Sequence, residues 1–160
     1  MGVDGTAGGR YESANKLAKR IRQFWPQKDV KSAKPFVVCT GGEPLLQMDI
    51  ALIAALHEEG SEIAIETNGT IKAPEGIDWI CVSPKADVEL MQLCGDELKL
   101  IFPQSGAEPE KYAHLDFQHF FLQPLDGPEV ELNTELAMEY CLANPQWRLS
   151  LQLHKILKVR

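Results

Sequence analysis

The sequence predicts an α/β fold, a partial (open) barrel of mainly parallel strands joined by crossover helices. Three observations lead there. Short β-prone apolar segments alternate with segments of helical periodicity, the order that yields a parallel sheet. The residues suited to binding stand just after the strands, as in barrels whose sites occupy the C-terminal rim. The closing segment sets Trp147, Leu149, Leu151 and Leu153 on one face and Arg148, Ser150, Gln152 and His154 on the other. A flat sheet covered by helices on both sides would want an apolar face there.

A helix is expected from Ser13, a suitable N-cap, to Trp25, with Leu17, Ile21 and Phe24 on one face and Pro26 stopping it. Phe36–Cys39 is continuously apolar, as strands covered on both faces are. Asp49 can cap a helix carrying Ile50, Ile53, Ala54 and Leu56 that ends at Gly60, and strand Glu62–Ile65 follows at once. Strand Trp79–Val82, a helix over Asp87–Leu93, strand Leu98–Phe102, a short helix near Pro109–His114 and strand Phe120–Leu122 continue the alternation. Asn133 or Thr134 can cap a helix through Leu136, Ala137, Tyr140 and Cys141 that ends before Pro145, and Trp147–Leu153 closes the chain as a strand. No repeat, linker or low-complexity tract interrupts residues 1–160, which are read as a single domain.

Composition narrows the function classes. A chain of 160 residues with 44% hydrophobic residues suffices for one core. The net charge of −7 and the lack of a basic stripe argue against a nucleic-acid partner, and Lys16, Lys19, Arg20 and Arg22 read as the wet face of the first helix. No apolar run approaches the ~20 residues that span a bilayer, and the opening Met1–Arg10 is too glycine-rich for a signal-peptide core. No membrane partner is therefore expected, and the cytoplasm is the default location. Cys39, Cys81, Cys94 and Cys141 lie too far apart for a metal knuckle or redox pair, and each reads as a buried small hydrophobe. No catalytic residue and no metal ligand is assigned.

The sharpest local signal is Cys39-Thr40-Gly41-Gly42-Glu43-Pro44 at the end of the first strand. Two glycines let a ligand approach the backbone, Pro44 stiffens the exit, and Glu43 can accept hydrogen bonds or pair with an ammonium. A bare strand-to-helix turn has the same composition. Four further polar segments follow later strands: Glu66-Thr67-Asn68-Gly69-Thr70, Ser83-Pro84-Lys85, Gln123-Pro124-Leu125-Asp126-Gly127, and Trp147 to Lys155. Singly, each has a plain explanation as a turn, a loop or a surface residue. On parallel strands, all five converge on one rim.

In order and spacing these segments resemble the 7-carboxy-7-deazaguanine synthases, a family of radical S-adenosylmethionine (SAM) enzymes, over about Val3 to Arg160. The resemblance implies a barrel of radical SAM type and a SAM site. Gly42 and Glu43 would face the SAM amino group, and Glu66 and Asn68 would lie near its ribose. Ser83, Pro84 and Lys85, with Gln123, Pro124, Leu125 and Asp126, would complete the pocket. Carboxylates and amide oxygens suit an ammonium and vicinal hydroxyls, and Lys85 could reach the SAM carboxylate. Substrate contacts carry over to Thr40, His154 and Arg160 with its terminal carboxylate. Lys158 departs from the small residue usual in the family tail, which leaves the geometry of the final residues open.

The reaction implied converts 6-carboxy-5,6,7,8-tetrahydropterin to 7-carboxy-7-deazaguanine, on the route to queuosine, by radical ring contraction with loss of ammonia. The resemblance further implies a [4Fe–4S] cluster, Mg²⁺, an electron donor such as flavodoxin or ferredoxin, and a homodimer. Three cysteines hold such a cluster, the last two separated by two residues. No such trio occurs here. The glycine-rich start, Val3 to Tyr11, resembles the family segment directly after the cluster loop, so the chain is expected to lack the first strand and that loop and to be inactive alone. Two alternatives remain: a fragment that binds SAM or the pterin without catalysis, and a phosphate-binding α/β enzyme using Gly41-Gly42. The second is disfavoured because no lysine follows the glycines and Glu43 repels phosphate.

Overall fold

The computed structural model describes residues 8–25 and 33–157. Six strands, β1 (Phe36–Cys39), β2 (Glu62–Thr67), β3 (Trp79–Val82), β4 (Cys94–Phe102), β5 (Asp116–Pro124) and β6 (Trp147–Leu149), form one sheet in sequence order. Every neighbouring pair is parallel. Strands added one after another in the same direction build an open barrel segment, with all strand C-termini at one rim.

Alternation along the strands separates two faces. One carries Ile63, Ile65, Val82, Leu98, Leu100 and Leu122, each fully buried. Helices α1 (Ala14–Arg22), α2 (Ile50–Glu58) and α3 (Val130–Ala143) lie on this side. Ala18, Ile53 and Leu56 pack with Ile63 and Ile65, whereas Ala137 packs with Leu98, Leu122 and Trp147. The other face carries Glu66, Cys81, Glu97, Lys99 and Gln123, and it leads to the rim.

Local chemistry explains the helix starts. Ser13 Oγ accepts from Lys16 N at 3.3 Å, and Asp49 Oδ1 accepts from Leu52 N at 2.8 Å, so both expected caps are formed. Gly60, at φ +76°, ends α2 as expected. The third helix starts earlier than expected, at Val130, because Asn133 and Thr134 have other partners. Asn133 Nδ2 donates to Leu125 O at 2.9 Å, and Thr134 Oγ1 donates back to Val130 O at 2.7 Å.

Further expectations are corrected. Strand β1 is not covered on both faces, since Phe36 and Val38 are 53% and 48% exposed. The segment Asp87–Leu93 is no helix: Met91 N and Gln92 N both donate to Gly69 O, and Gln92 Nε2 donates to Cys94 O, which holds the chain in a compact loop. The last strand stops at Leu149, and a short helix, α4 (Leu153–Ile156), follows. Leu151 and Leu153 are exposed there, off the apolar face expected of them. Phe24 lies outside α1 and is 72% exposed beneath the Arg20 guanidinium, 4.7 Å from its ring centre. Among the cysteines Cys81 is buried, Cys39 and Cys141 are half-buried, and Cys94, at the start of β4, is exposed. Lys16, Lys19 and Arg20 are exposed, as a wet helix face requires. Among the described residues no helix is long and apolar enough to cross a membrane.

Candidate functional site at the strand C-termini

The parallel register carries the turn after each strand to the same end of the sheet. There Thr40, Gly42, Glu66, Asn68, Ser83, Lys85, Gln123 and His154, all singled out from the sequence, line one cavity of about 590 Å³. Gly41, Thr67, Lys99, Ile101 and residues Ser150–Gln152 complete its wall. Arg160 and Lys158, with the segment Val3–Ala7, lie outside the described residues.

The loop after β1 is built by its own hydrogen bonds. Gly41 and Gly42 have φ of +88° and +57°, and nothing stands within 4 Å of where their Cβ atoms would be, so the loop faces open space. Glu43 turns the other way. Its carboxylate accepts from Leu45 N at 3.0 Å, Thr67 Oγ1 at 2.7 Å and Asn68 N at 2.8 Å. It therefore ties the loop to the end of β2, and it is not among the residues lining the cavity. The backbone of Gly41-Gly42, rather than the Glu43 charge, is what this loop presents.

Asn68 presents a donor. Its Oδ1 accepts from Thr70 N at 2.9 Å and from Thr70 Oγ1 at 2.7 Å, which identifies that atom as oxygen and aims the amide N–H groups elsewhere. Gly69 beside it admits no side chain: at φ +77°, an added Cβ would lie 2.4 Å from Leu90 Cδ1 and 2.7 Å from Val82 Cγ1.

Glu66 is the acidic group on the floor. Its Oε2 accepts from Thr40 Oγ1 at 3.1 Å and its Oε1 from Lys99 Nζ at 2.9 Å. Burial pushes the Glu66 carboxyl up, but the Lys99 ammonium, by hydrogen bond and charge, and the Thr40 hydroxyl together hold it below the usual carboxylate range. Burial works against the Lys99 charge as well, and the Glu66 and Glu97 carboxylates help to offset it, leaving its pKa above the ordinary lysine value. Lys99 escaped the reading of the sequence. The available signal was a lone lysine between Leu98 and Leu100, a cation that an otherwise apolar strand needs a reason to carry.

The opposite wall comes from the last two strands. Leu125 N donates to Phe102 O at 2.7 Å and Ser150 N to Leu122 O at 2.8 Å, so both turns prolong the ladder by one bond. Pro124 is buried and Pro84 is fully buried, and neither is among the residues that line this cavity. Pro124 and Asp126, with Val130 and Ile156, line a second cavity of about 400 Å³ that shares Gln123, Leu151 and Gln152 with the first. Asp126 is paired with Lys155, and Leu125 is exposed beyond the lining of both cavities.

These groups fit a zwitterionic nucleoside: glycine backbone, carboxylate, amide donor and cations surround a concave space. They do not fit an iron–sulfur cluster. Cys39 points to the helices, Cys81 to the concave face, Cys94 sits at the start of β4 and Cys141 on α3. Burial pushes the Cys81 thiol up to about 12, the reverse of what a thiolate ligand needs. Among the described residues no group of three or more His, Cys, Asp or Glu side chains gathers as a metal site.

No protein-family model matches the chain. Individual relatives do. The 7-carboxy-7-deazaguanine synthase of Caulobacter vibrioides is 56% identical over 157 residues, covering 98% of this chain and 73% of that protein. That of Bradyrhizobium diazoefficiens is 57% identical over 160 residues, covering 100% and 75%. The crystal structure of QueE from Escherichia coli superposes with a TM-score of 0.67 at 28% identity, over 92% of this chain and 68% of that one.

Proposed function

Because this chain belongs to the 7-carboxy-7-deazaguanine synthase family, we propose that its rim cavity is the SAM and pterin site of that lyase reaction, the conversion of 6-carboxytetrahydropterin to 7-carboxy-7-deazaguanine with loss of ammonia. The observation that carries this reading is the single cavity shared by Gly42, Glu66, Ser83, Gln123 and His154, which stand at the C-terminal ends of five different strands or in the segments just after them. Bound SAM would give the substrate-activating radical only on accepting one electron from an iron–sulfur cluster, which the described residues do not hold. The chain's own contribution is to bind, orient and shield.

In this reading the Gly41-Gly42 backbone receives the methionine ammonium and Lys85 its carboxylate. Glu66 accepts from the ribose hydroxyls while the Asn68 amide donates nearby. Gln123 and the Pro124–Asp126 turn complete the nucleoside wall, and Thr40 and His154 face the pterin. Catalysis in a homodimer, electrons from a flavodoxin or ferredoxin and Mg²⁺ at the substrate belong to the same proposal for a full-length form that carries the cluster cysteines, the 160 residues alone being inactive, and a cytoplasmic location belongs to it as well. The placement of the four cysteines supports a second reading, in which these 160 residues bind SAM or pterin without radical chemistry.

An amide-resolved NMR titration tests the site. Added S-adenosylmethionine is expected to shift Gly42, Glu66, Asn68 and Ser83, and inorganic phosphate is expected to shift none of them. Shifts confined to residues away from the rim would end the proposal. Incubation with iron and sulfide is expected to give no iron–sulfur absorption band, because the four cysteines lie apart, and a band would assign the radical chemistry to these 160 residues themselves.

A further inference from the structure

Glu66 stands on β2 and Lys99 on β4, with β3 between them. Adjacent strands lie about 4.8 Å apart, so the pair has to span roughly twice that distance across the concave face. Only two long side chains can meet there, and they do so at 2.9 Å over β3. Thr40, just past β1, closes on the other carboxylate oxygen at 3.1 Å. Three strands thus converge on one carboxylate.

Each carboxylate oxygen has two lone-pair directions, and Thr40 and Lys99 each occupy one. The remaining direction on each oxygen leaves a pair of acceptors side by side, the spacing that vicinal hydroxyls match. A glutamate terminal torsion is broad when nothing holds it. Lys99 reaches the cavity wall but is less open to a ligand than Glu66, its side chain 18% exposed against 43%.

We propose that Lys99 is a positioning residue, acting through Glu66 to hold its carboxylate in the orientation that accepts a ribose cis-diol. This rests on the reading of Glu66 as the ribose contact. Three variants, Lys99→Met, Lys99→Arg and Glu66→Asp, test it by NMR titration of the whole chain with adenosine and with 2′,3′-dideoxyadenosine.

The native chain should prefer adenosine, and Lys99→Met should remove that preference by weakening adenosine alone about tenfold, the size of one charge-assisted hydrogen bond. Lys99→Arg should restore it in part. Glu66→Asp, which keeps both charges but shortens the bridge, should lose it even if Lys99→Met fails to fold. Retention of the preference in Lys99→Met or Glu66→Asp, or equal weakening of both ligands, overturns the proposal. A native chain that does not distinguish the two nucleosides defeats the Glu66 reading first, a result distinct from the failure of Lys99.

Discussion

The two faces of the sheet are made from the same strands and obey different rules. On the helix side Ile63, Ile65, Val82, Leu98, Leu100 and Leu122 are wholly removed from water. On the concave side, one residue along each strand, stand Glu66, Cys81, Glu97 and Lys99, joined across strands by hydrogen bonds and charge. Trp79 Nε1 donates to Glu97 at 2.8 Å in the same way that Lys99 donates to Glu66. One face contributes stability through area; the other contributes orientation, and its polar groups are tolerable because they satisfy one another.

The sharpest way to break this comparison is to remove matching side chains from neighbouring positions. Leu100→Ala, on the helix side, is expected to cost about 2–5 kcal/mol in urea unfolding. Ile101→Ala, its half-exposed neighbour facing the cavity, should cost well under half as much. Equal losses would show that the faces do not divide the work.

Gly69→Ala comes next. The residue sits at the rim but packs into the loop over Val82 and Leu90, and the substitution combines a left-handed backbone with overpacking, for about 2–4 kcal/mol of lost stability. Glu43→Gln tests whether that acid belongs to the scaffold or to the ligand. An amide oxygen replaces a carboxylate with three donors, so thermal unfolding should shift by about 1–3 kcal/mol. A variant of unchanged stability that fails to bind SAM would return Glu43 to the ligand shell.

Glu66→Gln should have the smallest effect on stability and a large one on SAM affinity. Its acid response sharpens the point. The folded-state pKa of Glu66 lies below its unfolded value, so its stabilisation is complete above the ordinary carboxylate value of about 4.3 and is lost as the pH falls through the lower folded value. Acid unfolding of Glu66→Gln should therefore begin from a slightly less stable chain and be less steep in that window.

Much of the fold and of the site is legible in the residues alone. Ser13 and Asp49 as caps, Gly60 as a helix end and six strands in order all come from local propensity and side-chain chemistry, which act within a turn or two of chain. Expectation and structure part where another partner, distant or local, competes. The Asp87–Leu93 segment has a helix-compatible pattern, yet Gly69 draws its amides away. Asn133 and Thr134 are good caps that found other acceptors. At Asn68 the amide oxygen is the expected ribose partner, and a local bond to Thr70 consumes it and leaves the donor.

By itself, then, the order of residues determined where strands begin, which turns hold glycine and carboxylate, and that five polar stretches would meet at one end of a parallel sheet. Tertiary structure alone decided what each of those groups faces. Glu43 turns inward to partners 24 and 25 residues away, and Lys99 reaches a carboxylate 33 residues away across an intervening strand. Propensity acts between neighbours in sequence, whereas the direction of a charged side chain is set by which opposite charge or hydrogen-bond partner the sheet register brings within about 3 Å.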